Sequence, residues 1–145
     1  MYKLVKDSKG PAPRFAITVG LQEGYGPTAK IHTPAEVTEL VLGHLKGCAA
    51  AGQPYLTGVV TTGQVVYAWP EGPGKAGGGH EPQVMYSGNV NPLYNSSLSG
   101  EEVEDFLNGL ASELGEALGQ TRVYVEFAGG LWILQAEDKE TPTGN

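Results

Sequence analysis

Two stretches of the chain repeat apolar positions at helical spacing. In the first, Val37, Leu40, Val41, His44, Leu45 and Cys48 fall on one stripe. In the second, Val103, Phe106, Leu107, Leu110, Leu114 and Leu118 do the same. Each stretch opens on a start signal. Thr33 is a good N-cap, Pro34 suits the first helical position, and Glu36 completes a capping box. Ser99 and Glu102 form the matching pair ahead of the second stretch. Gly52 and Gly119 are natural stops. A helix with a single apolar stripe buries one side, so each is predicted to lie on a sheet.

The remaining apolar segments are rich in β-branched and aromatic residues and read as strands. FAITVGL (15–21) and PQVMYSG (82–88) are single strands. YLTGVVTTGQVVYAW (55–69) and RVYVEFAGGLWILQAE (122–137) read as hairpins turning at Thr62-Gly63 and Gly129-Gly130. The order strand, helix, strand, strand thus occurs twice, over 14–71 and 81–138, with Gly52-Gln53 answering Gly119-Gln120 and Gly63 answering Gly130. The expected architecture is one α+β domain over 1–145. It has tandem βαββ repeats forming a six-stranded, mostly antiparallel mixed sheet with two flanking helices. Within each repeat a strand, its helix and a parallel strand should make a right-handed crossover. The Gly-rich stretch 72–80 reads as a flexible linker between repeats, and 139–145 as a flexible tail.

Composition narrows the function. The chain has 145 residues and a net charge of −7, which argues against a nucleic-acid polymer as partner. No apolar run approaches the ~18 residues needed to span a membrane, and MYKLVKDSKG has no apolar leader core. The one cysteine, Cys48, excludes an internal disulfide. These features lead to the expectation of a soluble cytoplasmic protein. Glycine, 22 of 145, is in surplus, and the linker and the repeated turns account for part of it.

Catalytic chemistry is thin. His44 lies on an apolar stripe, His80 in the linker, and His32 just before a helix cap with no second histidine in the equivalent place. The predicted strands carry few carboxylates and no metal-ligand spacing, so no metal, cofactor or catalytic set is expected. Cys48 reads as a packed residue. What stands out is the pair of long strand-to-helix loops, LQEGYGPTAKIH (21–32) and GNVNPLYNSSL (88–98). Such connections usually run roughly 2–6 residues, and longer ones tend to carry function. Tyr25 and Tyr94 offer flat faces for stacking a base. Asn91, Asn95 and Ser97 offer hydrogen bonds to polar ligand groups, Asn91 and Asn95 to ribose hydroxyls. Arg14, Arg122 and Lys30 are the cations of the folded body suited to phosphate. The ordinary alternative is turn chemistry, in which Asn, Gly and Pro also dominate.

The paired βαββ pattern, the segment ITVGLQEGYG, the Asn/Ser loop before the second helix, and VYVEF followed by a Gly turn and WIL together resemble the first-described Thoeris anti-defence proteins of phages. The resemblance covers about residues 14–137. It implies a non-enzymatic sponge that sequesters a cyclic ADP-ribose-type or cyclic nucleotide immune signal without degrading it. It also implies a six-stranded sheet with two helices, and homo-oligomers whose pockets are shared between subunits. Two other readings are a small-metabolite enzyme of the paired βαβ class, with Glu126 or His32 as base, and a structural or protein-binding module.

Overall fold

The computed structural model of the chain describes residues 1–137, so the tail expected at 139–145 lies outside the described residues. The elements are β1 (Arg14–Gly20), β2 (Gln22–Glu23), β3 (Lys30–Ile31), α1 (Pro34–Ala50), β4 (Val59–Gly72), β5 (Lys75–Asn89), α2 (Gly100–Ala117), β6 (Arg122–Phe127) and β7 (Gly130–Gln135). Five strands form one sheet in the order β4-β5-β1-β6-β7, and β2 pairs with β3 in a small second sheet. Every ladder is antiparallel. The α+β class with two helices is as expected.

Strand β1 sits in the middle, between β5 and β6. The chain therefore leaves β1, passes through α1 and returns on β4, two places away and parallel to β1. It then leaves β5, passes through α2 and returns on β6, again with one strand between. This is the split β-α-β arrangement of ferredoxin-like folds, extended by β7. The expected crossovers exist, but each skips a strand, so no two neighbours are parallel.

Both helix starts follow the predicted chemistry. The Thr33 side chain accepts the Glu36 backbone N–H, and Ser99 with Glu102 forms a reciprocal capping box. Unequal burial follows. Helix α2 buries Val103, Phe106, Leu107, Leu110, Ala111, Leu114 and Gly115, whereas α1 buries only Val37 and Val41. The core lies between α2 and the helix-facing side of the sheet, where Phe15, Ile17 and Val19 of β1 meet Val84 and Tyr86 of β5 and Val123 and Val125 of β6. Tyr86 donates its hydroxyl to the Leu56 carbonyl at 2.6 Å, which satisfies the one polar atom of a ring only 2% exposed. Burial pushes its phenol up to about 12, against a smaller opposing backbone hydrogen bond at Gly58. His44, on the apolar stripe of the first helix, hydrogen-bonds Glu113 and lies 5.9 Å from the Phe106 ring, joining the two helices.

Two expectations fail together. Residues 55–69 do not fold back at Thr62-Gly63, because those positions lie in mid-strand, paired with Val84 and Gln83. The stretch 72–80 is not a linker: the chain turns near Gly72–Lys75, and Lys75 onward is the first half of β5. The main sheet therefore has five strands instead of six. The physical reason lies across the ladder. Trp69 pairs with Gly77 and Tyr67 with Gly79, and a Cβ on Gly77 would come 2.5 Å from Trp69 Cε2. Aromatic rings lie over the glycines and occupy the space their own side chains would fill, the device known as aromatic rescue. The hairpin predicted over 122–137 forms, but its two-residue turn is Ala128-Gly129, at φ of 49° and 87°, one residue before the predicted Gly129-Gly130, because Gly130 already pairs with Phe127.

The other face of the sheet carries no helix. Register places Tyr124, Leu131 and Ile133 there, and they are 43%, 63% and 50% exposed. No helix among the described residues is long and apolar enough to cross a membrane.

Candidate functional site

Beyond the rungs that β5 shares with β1, which end at Gln83, the β4–β5 hairpin continues as an arm paired only to itself. Val65, Val66, Tyr67 and Trp69 are all exposed on it. Strand alternation puts Val65, Tyr67, Trp69 and Glu71 on one side, and Glu81, which pairs with Val65, joins them. The Tyr67 and Trp69 rings are stacked, with centroids 5.9 Å apart and planes at 21°. The Tyr67 hydroxyl donates to Glu81 at 3.2 Å, and the Trp69 indole N–H donates to Glu71 at 3.0 Å. Each ring thus fixes a carboxylate at its polar edge. Desolvation, the Glu81 charge and its hydrogen bond, and then the nearby Tyr25 phenol hold the Tyr67 hydroxyl above its usual range, so it stays a neutral donor. On the opposite side of the arm, His80 Nδ1 lies 3.0 Å from Gln64 Oε1.

A second polar cluster lies where the β2–β3 loop meets α1. His32 is only 4% exposed, with Nδ1 2.7 Å from Glu36 and Nε2 3.0 Å from Glu23. The Glu36 hydrogen bond raises its pKa, burial opposes this, and Glu23 raises it further. Glu23 in turn packs on Gly119 at the end of α2, since a Cβ there would come 2.4 Å from Glu23 Cδ. The imidazole therefore clamps the β2–β3 loop to both helices. A groove of about 560 Å³ lies between α2 and the β6–β7 hairpin, lined by Ser112, Gly115, Gln120, Val123, Leu134 and Gln135 among others. None of the sequence-predicted binding residues lines it.

Those residues divide between opposite ends of the sheet. Because β5 runs antiparallel to β1, Arg14 pairs with Asn89, and the loop with Asn91, Tyr94, Asn95 and Ser97 follows at that end. Arg122, Lys30 and Tyr25 lie toward the other end, beside the last residues of β1. The seven residues of β1 separate the groups by on the order of 20 Å. The predicted base, ribose and phosphate contacts therefore do not converge within one protomer. Several are also occupied locally. Asn91 Oδ1 accepts the Leu93 N–H at 2.8 Å, Asn95 Nδ2 donates to the Tyr55 carbonyl at 3.4 Å, Arg122 donates to Gln135 at 3.2 Å, and Arg14 Nη2 lies 3.7 Å from Met85 Sδ. Tyr94 and Tyr25 are 77% and 87% exposed.

Tyr67, Trp69, Glu71 and Glu81 escaped the sequence reading. The signal was present as aromatics and a carboxylate at period two in YAWPE, facing a run of three glycines at Gly77–Gly79. Among the described residues no group of three or more His, Cys, Asp and Glu is placed to hold a metal ion.

No protein-family model matches the chain, and no curated protein matches it. Solved structures do. A phage SAM lyase in complex with S-methyl-5'-thioadenosine matches with TM-score 0.64 and 22% identity, over 95% of this chain and 100% of that one. A phage SAM lyase in the apo state matches with TM-score 0.67 and 20% identity over the same shares. At such identity the shared property is the fold.

These matches overturn the expected function. The resemblance to Thoeris anti-defence proteins implied a non-enzymatic sponge for cyclic ADP-ribose or cyclic nucleotides, but the fold along its length is that of an enzyme named for SAM. What survives is coarser. The neighbours are phage proteins, and one of them holds a small nucleoside-derived molecule.

Proposed function

We propose that the chain is a lyase acting on a sulfonium nucleoside of the SAM type and releasing methylthioadenosine. The observation that carries this reading is the fold match, which spans 95% of the chain and all of a phage SAM lyase holding S-methyl-5'-thioadenosine. That ligand is SAM with the bond from sulfur to its four-carbon chain broken. In such a cleavage the C–S electron pair stays on sulfur, whose positive charge disappears. A lyase makes up the bond lost at carbon from within the departing fragment, so no water is consumed. The net charge of −7 favours the approach of a cationic substrate. Neither SAM nor methylthioadenosine carries phosphate, so this chemistry gives Arg14, Arg122 and Lys30 no phosphate to hold.

A second copy of the chain belongs to this reading. An antiparallel sheet with one solvated face ordinarily alternates apolar and polar residues. Here the uncovered face presents Tyr124, Leu131 and Ile133, all substantially exposed, which suits packing against another subunit.

The test is incubation of the purified protein with SAM, with the products resolved by mass spectrometry and the oligomer read by native mass spectrometry on the same sample. Release of methylthioadenosine is expected. Recovery of intact SAM, or a nucleoside product other than methylthioadenosine, sinks the reading. A monomer throughout the concentration range sinks its oligomeric part.

A further inference from the structure

We infer that the arm carries a site for a methylated onium cation, formed by the Tyr67 and Trp69 rings with Glu71 and Glu81, and that this site separates charged substrate from neutral thioether product. The identity of the cation as a sulfonium nucleoside rests on the reading above. The recognition chemistry stands on the cluster itself.

Onium ions bind where aromatic faces and carboxylates converge, because the ring quadrupole is negative at its face and a methylated cation is weakly hydrated. The arm supplies both. Two stacked rings, 41% and 46% exposed, stand side by side, and each positions a carboxylate through its own N–H or O–H. Each carboxylate spends one oxygen on its ring. Among the described residues neither Glu71 nor Glu81 has a Lys, Arg or His partner within ion-pair distance, whereas Glu23, Glu36 and Glu113 each have a histidine. Among the described residues, then, no ion pair engages the carboxylates of the arm. Glycine keeps the rings in place. A Cβ on Gly77 would come 2.4 Å from Glu71 Oε1, and one on Gly79 would come 3.1 Å from the Tyr67 hydroxyl. A larger residue at Gly77 displaces the Trp69 ring or the Glu71 carboxylate.

Cleavage of a sulfonium abolishes the charge this cluster recognises, so the product loses the interaction that held the substrate. The experiment compares wild type, Trp69→Leu and the double variant Glu71→Gln/Glu81→Gln. Affinities for SAM, methylthioadenosine and trimethylsulfonium chloride are measured by calorimetry, along with KM for SAM. Glutamine keeps an acceptor for each ring, so the arm is retained, as far-UV circular dichroism checks. The expected result is about a tenfold weakening of SAM and trimethylsulfonium in both variants, with methylthioadenosine unchanged. Equal losses for SAM and methylthioadenosine, or no loss for either cation, overturn the site. If wild type turns over SAM and the variants keep its KM, the onium site falls and the lyase reading stands. If trimethylsulfonium binds in a Trp69-dependent way but SAM is not cleaved, the lyase reading falls and the site stands. Absence of both overturns both.

Discussion

The two halves of the β4–β5 hairpin share one continuous ladder and differ in everything else. Near the body, Val84 and Tyr86 are buried under the helices at 0% and 2% exposure. Farther out, the hairpin has lost its helical cover and shows Val66 at 78% and Trp69 at 46%. One antiparallel ladder, shifted in register at Pro70/Gly72, pairs both halves, so the ladder alone does not decide what is buried. The body is held by apolar area removed from water. The arm is held by cross-strand contacts such as Trp69 over Gly77, which are individually small. The Tyr67 and Trp69 rings cover glycines yet stay 41% and 46% exposed, and that remaining apolar surface is better explained by what the arm meets than by what it supports. Each region also holds one of the two tryptophans. Trp69 reports on the arm, and Trp132, whose N–H donates to Asn108 at 2.7 Å, reports on the body.

The comparison breaks most readily in the body. Leu107, fully buried on α2, contributes packing to the whole domain. Leu107→Ala is expected to cost about 2–5 kcal/mol in urea unfolding, monitored at Trp132. A loss below about 1 kcal/mol would show that the α2 layer is not the structural centre.

The His32 clamp gives a smaller effect with a defined pH window. His32 has its pKa raised above 6.5 by Glu36 first and Glu23 next, so its stabilisation is full below 6.5 and lost as pH rises through the folded value. Glu36 is held below 4.5 by His32, so its share is full above 4.5 and lost as pH falls through the folded value. The clamp is therefore strongest between the two. Unfolding midpoints are expected to drop from about pH 5.5 to about pH 8.5 more in wild type than in His32→Gln. Equal drops would remove the clamp from the account, since the His44–Glu113 pair is common to both proteins.

The smallest change in stability belongs to the arm. Gly77→Val places a side chain where Trp69 and Glu71 lie. Global stability is expected to stay within about 0.5 kcal/mol, while Trp69 fluorescence in a Trp132→Phe background shifts toward that of exposed indole. A large loss of global stability would show that arm and body fold as one unit and would dissolve the distinction between them.

Local sequence carried the helices well. Thr33-Pro34-x-Glu36 and Ser99-x-x-Glu102 place their own caps, since capping involves only residues within one turn. The last hairpin was legible for the same reason, to within one residue of its turn at Ala128-Gly129. Residues 72–80 were not, because a glycine run looks like a linker until the strand facing it is known. Trp69 and Gly77 are apart in sequence, and the Gly-Gly-Gly stretch becomes a strand only when rings lie across it. The candidate binding residues lie apart within one protomer. Arg14 and Arg122 both begin strands, but β1 and β6 run in opposite directions, which sends them to opposite ends of the sheet.

The sequence by itself determined two capped amphipathic helices, an antiparallel β-rich partner for them and an acidic chain, because capping, periodicity and charge are properties of neighbouring residues. Tertiary structure alone decided that β1 lies between β5 and β6, that the glycine stretch is half of a projecting arm, and that Tyr67, Trp69, Glu71 and Glu81 form one cluster. Those facts depend on which strands pair and in what register, and pairing is set by the burial of the whole sheet against α2.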